Sequence, residues 1–115
     1  MNHLLFVYGT LKHDFHNHHL IADQQFVGHG TTIDNHWQMY SLGGFPGVSH
    51  GDKHIVGELW IVDDKVFQRC DMLEGHPHFY RRERVPVIDS EGEDHLAWMY
   101  IFHGDTKELK AVEGW

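Results

Sequence analysis

The chain predicts an α+β protein in which a mixed sheet, strongly curved or closed, is covered by one or two helices. Three observations carry this. Strand-like segments outnumber helical ones, short turns join most of them, and a single stretch, Val66 to Leu73, repeats its apolar residues at helical spacing. The pattern gives five or six strands.

The first strand spans His3 to Tyr8, a continuous apolar run ended by Gly9. Lys12 to Asp23 is polar and rich in histidine, a short helix or an irregular loop. Gln25 to Ile33 and His36 to Leu42 are strands joined by the turn dipeptide Asp34-Asn35, and Gly28 and Gly30 suggest a bulge or tight curvature in the first of them. Leu42 to Val48 is a loop whose glycines let backbone approach a ligand, and Ser49 to Lys53 is a turn. His54 to Val62, rich in Ile, Val and Trp, is a strand.

The helix begins at Asp63 or Asp64 as cap and stops at Gly75. Phe79 to Asp89 is a long strand with Pro86 near an edge. Ser90 to Asp94 is a turn, and His95 to Phe102 is the last clear strand. Gly104 to Trp115 folds back through Leu109, Val112 and Trp115.

At 115 residues one domain is expected, residues 1–115, with no cofactor or disulfide needed to complete its core. Hydrophobic residues at 41% and charged residues at 23% argue against both disorder and a membrane protein. A formal charge of −8 repels phosphates, so no nucleic-acid partner is expected and small molecules are the better partners. The start of the chain shows no secretion signal and Cys70 is the only cysteine, which together predict a cytoplasmic protein. Cys70 itself reads as a small buried helix residue rather than a reactive thiol.

One residue stands out on the helix. With Val66 at 0° and 100° per residue, Leu73 falls at about −20°, Cys70 at about 40°, Glu74 at about 80° and Phe67 at about 100°. Glu74 thus lies on the apolar side. Lost hydration and the negative end of the helix dipole both favour its protonated form, the tuning that a general acid or base requires near neutral pH. The competing reading is a frayed, exposed glutamate, or one paired with Arg81 or Arg82. The turn Tyr8-Gly9-Thr10-Leu11 leaves a buried strand sharply and can expose N–H groups to a carboxylate or oxyanion, although such a turn is more often only a turn.

Phe6 to Lys12, Asn17-His18, Phe45-Pro46-Gly47, Gly57 to Trp60, Asp71 to Gly75, Phe79 to Arg82, Ala97 to Tyr100 and the closing Glu113-Gly114-Trp115 together resemble the γ-glutamylcyclotransferase-like superfamily. The likeness is greatest to its small branch related to γ-glutamylamine cyclotransferases, with short bacterial members. It covers nearly the whole chain. The resemblance implies a compact mixed β-barrel flanked by helices and an enzyme that releases 5-oxoproline from a γ-glutamyl amine or amide. By the same resemblance Glu74 takes the place of the catalytic glutamate, and Tyr8, Gly9, Thr10 and Leu11 line the cavity for the γ-glutamyl head. Tyr80 matches a nearby tyrosine, and Phe45 belongs to the binding loop. Several short bacterial members lack an acid at the position of Glu74; this chain has it.

Two alternatives come from other classes. His13, His16, His18 and His19 have spacings at which imidazoles can converge on a metal ion, against which adventitious surface histidines are the commoner case. A non-catalytic module that binds a γ-glutamyl or amino-acid-like ligand is the other. His76 and His78 flank Pro77 beside the helix and are within reach of the pocket mouth or are plain loop residues. Trp37, Tyr40, Phe45 and Trp60 are candidates for an apolar cavity wall, core positions being the more usual role.

Overall fold

The computed structural model describes residues 1–115. Its strands are β1 (Asn2–Val7), β2 (Gln25–Thr32), β3 (Trp37–Ser41), β4 (Pro46–His50), β5 (Val56–Asp63), β6 (Tyr80–Asp89), β7 (Asp94–Phe102) and β8 (Lys110–Val112). One α-helix, α1 (Asp64–Glu74), follows β5, and a short 3-10 turn covers His18–Leu20. Five strands close a barrel in the order β1-β5-β2-β6-β7, and β4-β3-β8 form a separate sheet. The α+β barrel expectation holds, with more strands than the five or six expected.

The barrel shows why the strands read as continuous apolar runs instead of alternating ones. Along β1, Leu5 and Val7 join a cluster that includes Val66, Phe67 and Cys70 of the helix, whereas Phe6 enters a second cluster with Leu59, Met99 and Ile101. Both faces of the strand are covered. Strand β7 does the same, sending Tyr100 and Phe102 to the helix side and Ala97, Met99 and Ile101 to the other. Closure runs through one parallel pairing, Leu5 with Trp98.

Two parts depart from the sequence expectation. Pro46 to His50, read as loop and turn, is strand β4, antiparallel to β3 with Ser41 opposite Pro46 and Trp37 opposite His50. Strands β2 and β3 follow one another across Asp34-Asn35 but do not pair, because the chain there leaves the barrel for the small sheet. The glycine signal in β2 corresponds to a register shift between Phe26 and Gly28. Pairing of β6 with β2 covers only Val87 to Asp89, so Pro86 sits where that ladder stops. In the tail, β8 pairs with β3, and Val112 and Trp115 pack against the second cluster.

Helix α1 has the expected ends. The Asp63 carboxylate accepts the Val66 N–H at 2.8 Å, and Gly75 adopts φ 64°, a left-handed value that favours glycine. Val66, Phe67 and Cys70 are buried, but Leu73 is 42% exposed. The last turn has moved off the packed core and faces a cavity, which places Leu73 and Glu74 together on its wall.

Candidate active site

The cavity, of about 210 Å3, lies between the end of β1, the last turn of α1, the start of β4 and the start of β6. Tyr8, Gly9, Thr10 and Leu11 line one part and Glu74, Phe45 and Tyr80 another, so all seven candidate positions meet in one space. Residues from four separate segments converge there.

Each segment is held by identifiable bonds. The Tyr8 hydroxyl donates to the Tyr100 carbonyl at 2.7 Å and accepts from Val48 N–H at 3.2 Å, tying β1 to β7 and β4. The Tyr80 hydroxyl donates to the Pro46 carbonyl at 2.6 Å. Both phenols are thus committed to backbone, and burial first, then neighbouring charge including that of Glu74, holds their acidity below that of a free tyrosine. They are walls, not proton carriers.

The histidine-rich segment clasps the loop from behind. Asn17 N–H donates to the Thr10 carbonyl at 3.0 Å and Asn17 Nδ2 to Thr10 Oγ1 at 2.9 Å, and His18 Nδ1 bonds the Leu11 carbonyl at 2.9 Å. These bonds use the loop's oxygens. The N–H groups of Gly9, Thr10 and Leu11 donate to no protein acceptor, leaving three consecutive donors on the cavity-lining turn. Gly9 is required by contact: a Cβ there would stand 2.8 Å from Pro46 Cγ.

Glu58, inside an otherwise apolar strand, is 7% exposed and accepts from His13 N–H at 3.0 Å and Trp60 Nε1 at 3.1 Å. It fixes the far end of the loop. Its signal is present in the sequence, an acid between Gly57 and Leu59, but the sequence alone does not show its role. Replacing Glu58 with Leu is expected to strand both donors and lower stability by about 2–4 kcal/mol, while Gln, which keeps an acceptor oxygen, loses about 1 kcal/mol. Urea unfolding of the two variants measures the difference.

Glu74 pairs with neither candidate arginine. Arg81 lies 3.6 Å from Glu83, and Arg82 makes a two-pronged bond to Asp71 at 2.8 and 3.0 Å. Burial alone raises the Glu74 carboxyl from 4.5 to about 7. One turn earlier on the helix, Asp71 behaves oppositely. Its burial would raise it, but hydrogen bonds from Arg82 and from the Tyr100 hydroxyl at 2.7 Å outweigh that and hold it below the usual range. Two carboxylates on one helix are thereby driven apart, one a fixed anion and the other poised to exchange a proton. The Cys70 thiol, pushed up to about 12 by burial and by Glu74 and Asp71, stays an uncharged core residue.

Most other candidates fall outside the cavity. No three of His13, His16, His18 and His19 bring their nitrogens within reach of one ion; His18 packs edge-on to Trp60, and only His16 lines the cavity. His76 accepts the Arg82 N–H at 3.3 Å and neither it nor His78 faces the pocket. Trp37 and Trp60 are core residues, and of the four suggested wall aromatics only Phe45 lines the space. Leu73, Phe79 and His16 are lining residues beyond those expected from the sequence.

Residues 5–115 match the family described as Gamma-glutamyl cyclotransferase, AIG2-like. A protein of Methanocaldococcus jannaschii, whose name places it provisionally among the γ-glutamylcyclotransferases, is 39% identical over 101 residues, covering 85% of this chain and 82% of its own length. The γ-glutamylcyclotransferase family protein YtfP of Escherichia coli K12 is 32% identical over 109 residues, covering 95% and 90%. Among solved structures, that of an AIG2-like protein from Mus musculus superposes with a TM-score of 0.89 at 25% identity, over 99% of this chain and 88% of that one.

Proposed function

Because the chain belongs to the Gamma-glutamyl cyclotransferase, AIG2-like family, we propose that residues 1–115 act as one cytoplasmic enzyme unit that cyclises a γ-glutamyl amine or amide and releases 5-oxoproline. The observation behind this is the pairing, in one cavity, of an unpaired carboxyl raised to about 7 with three unsatisfied N–H groups.

In a γ-glutamyl amide the nucleophile is already present. Glu74 takes a proton from the substrate α-ammonium, and the freed nitrogen adds to the γ-carbonyl carbon to close a five-membered ring. As the bond to the leaving nitrogen breaks, Glu74 returns a proton to it. A second proton follows from the ring nitrogen by the same carboxylate, so the products are the lactam and an ammonium ion. The N–H groups of Gly9, Thr10 and Leu11 hold the α-carboxylate or the carbonyl oxygen, and Tyr8, Tyr80 and Phe45 shape the space that folds the substrate into attack geometry. Ring closure within one bound molecule supplies effective molarities of roughly 10⁵ M or more, so no protein nucleophile is needed.

The test is 5-oxoproline release across a panel of γ-glutamyl amides, with Glu74→Gln alongside. Turnover of no member by the wild-type protein defeats the proposal. For an active substrate, kcat/KM is expected to rise with pH through about 7, where Glu74 loses its proton, instead of near the ordinary glutamate value of 4.5.

A further inference from the structure

The cavity opens to solvent mainly through apolar side chains, with His16 the exposed polar residue of its lining. Leu73, Phe79 and Phe45 all line it, and they are 42%, 44% and 38% exposed. The Phe79 ring is propped edge-on by Tyr80 at 5.0 Å and Phe102 at 5.3 Å, and Phe45 stands 6.3 Å from it. These rings are fixed in place while still uncovered. A contiguous apolar surface at the mouth of a polar site is where a ligand's non-reacting part finds contact.

The charges nearby point the same way. Glu74 and His16 are in the lining, which holds no other acid and no lysine or arginine. The cations closest in sequence are engaged elsewhere: Lys12 Nζ is 2.5 Å from the Trp115 main-chain oxygen, Arg81 pairs with Glu83, and Arg82 with Asp71. A carboxylate tail on the leaving amine would meet no fixed cation and a chain of formal charge −8. An ammonium tail would meet no acid at the mouth except Glu74, which the chemistry occupies.

We infer that the leaving amine carries an uncharged, apolar alkyl or aryl substituent, seated on Leu73, Phe45 and Phe79. This rests on the cyclotransferase reading above and names its substrate class. The glutamyl head occupies the inner part of the cavity, and the substituent extends outward across the rim.

A series of γ-L-glutamyl n-alkylamides, ethyl to hexyl, tests it by 5-oxoproline release, because lengthening the chain hardly changes the basicity of the leaving amine. A fully buried methylene is worth about 4-fold, so a half-covering rim gives a rise in kcat/KM of about 2-fold per methylene. The hexylamide should exceed six-carbon tails ending in carboxylate or ammonium by about 10-fold. Phe79→Ser and, separately, Leu73→Ser should flatten the chain-length slope. A flat slope in the wild-type protein, or a charged tail turned over as well as the hexylamide, overturns the apolar assignment and leaves the cyclotransferase reading standing. No 5-oxoproline from any member overturns both.

Discussion

Glu74→Gln is expected to lower kcat by about 10²–10⁴-fold while making the folded protein more stable above pH 7. The two effects share one cause. The carboxyl titrates near 4.5 when solvated and at about 7 in the fold, because burial disfavours its anion. Below about 4.5 it is protonated in both states and contributes no pH dependence. Between about 4.5 and 7 the folded chain holds a proton that the unfolded chain has released, so stability falls as pH rises. Above 7 the penalty is complete, on the order of 3 kcal/mol for a shift of this size. Glutamine cannot ionise and escapes it. Urea unfolding at pH 5 and pH 8 should therefore show the variant gaining on the wild type as pH rises, with turnover lost at both. Equal pH dependence in the two proteins means that Glu74 is not buried as an acid, and retained turnover removes it from the chemistry.

Gly9→Ala is expected to reduce kcat/KM by about 10²-fold, through position instead of chemistry. The new Cβ would stand 2.8 Å from Pro46 Cγ, closer than such atoms approach, and a tight 3.1 Å from Cδ. Either the loop or β4 has to move. The loop carries the three free N–H groups, and Pro46 carries the carbonyl that fixes Tyr80, so movement of either misplaces one wall against the other. Removing the obstacle provides the control: in Gly9→Ala/Pro46→Ala the Cγ and Cδ atoms are gone, and about half of the lost log kcat/KM should return. If Gly9→Ala alone keeps wild-type kcat/KM, the loop geometry is not what positions the substrate.

How far the sequence is legible depends on whether each feature is local. Helix α1 can be read with both its ends because Asp63 and Gly75 act within a few residues of themselves. Strand β4 cannot, because Pro46 and Gly47 are loop residues by propensity and become a strand only through β3. Pro46 fits at the first position, and Gly47 fits where Phe102 and Leu42 leave no room for a side chain. The division into a barrel and a second sheet is a choice among distant partners that Asp34-Asn35 does not encode. In the site, the family resemblance gathers Tyr8 to Leu11, Phe45, Glu74 and Tyr80, and the structure brings them into one cavity. Helical periodicity puts Glu74 on the inner side correctly but also places Leu73 in the core. It cannot tell a packed neighbour from an empty space, and at the last turn the inner side is the cavity. Asp71, which separates the behaviour of the two helix carboxylates, is unreadable from sequence because its partners Arg82 and Tyr100 lie on β6 and β7.

The most direct measurement is product analysis of a γ-glutamyl amide turned over in H₂¹⁸O. Intramolecular attack by the α-amine predicts unlabelled 5-oxoproline, one per amine released, with no glutamate formed. Glutamate carrying ¹⁸O in its γ-carboxylate would show that water is the nucleophile, and would contradict a cavity in which Glu74 serves the substrate's own amine.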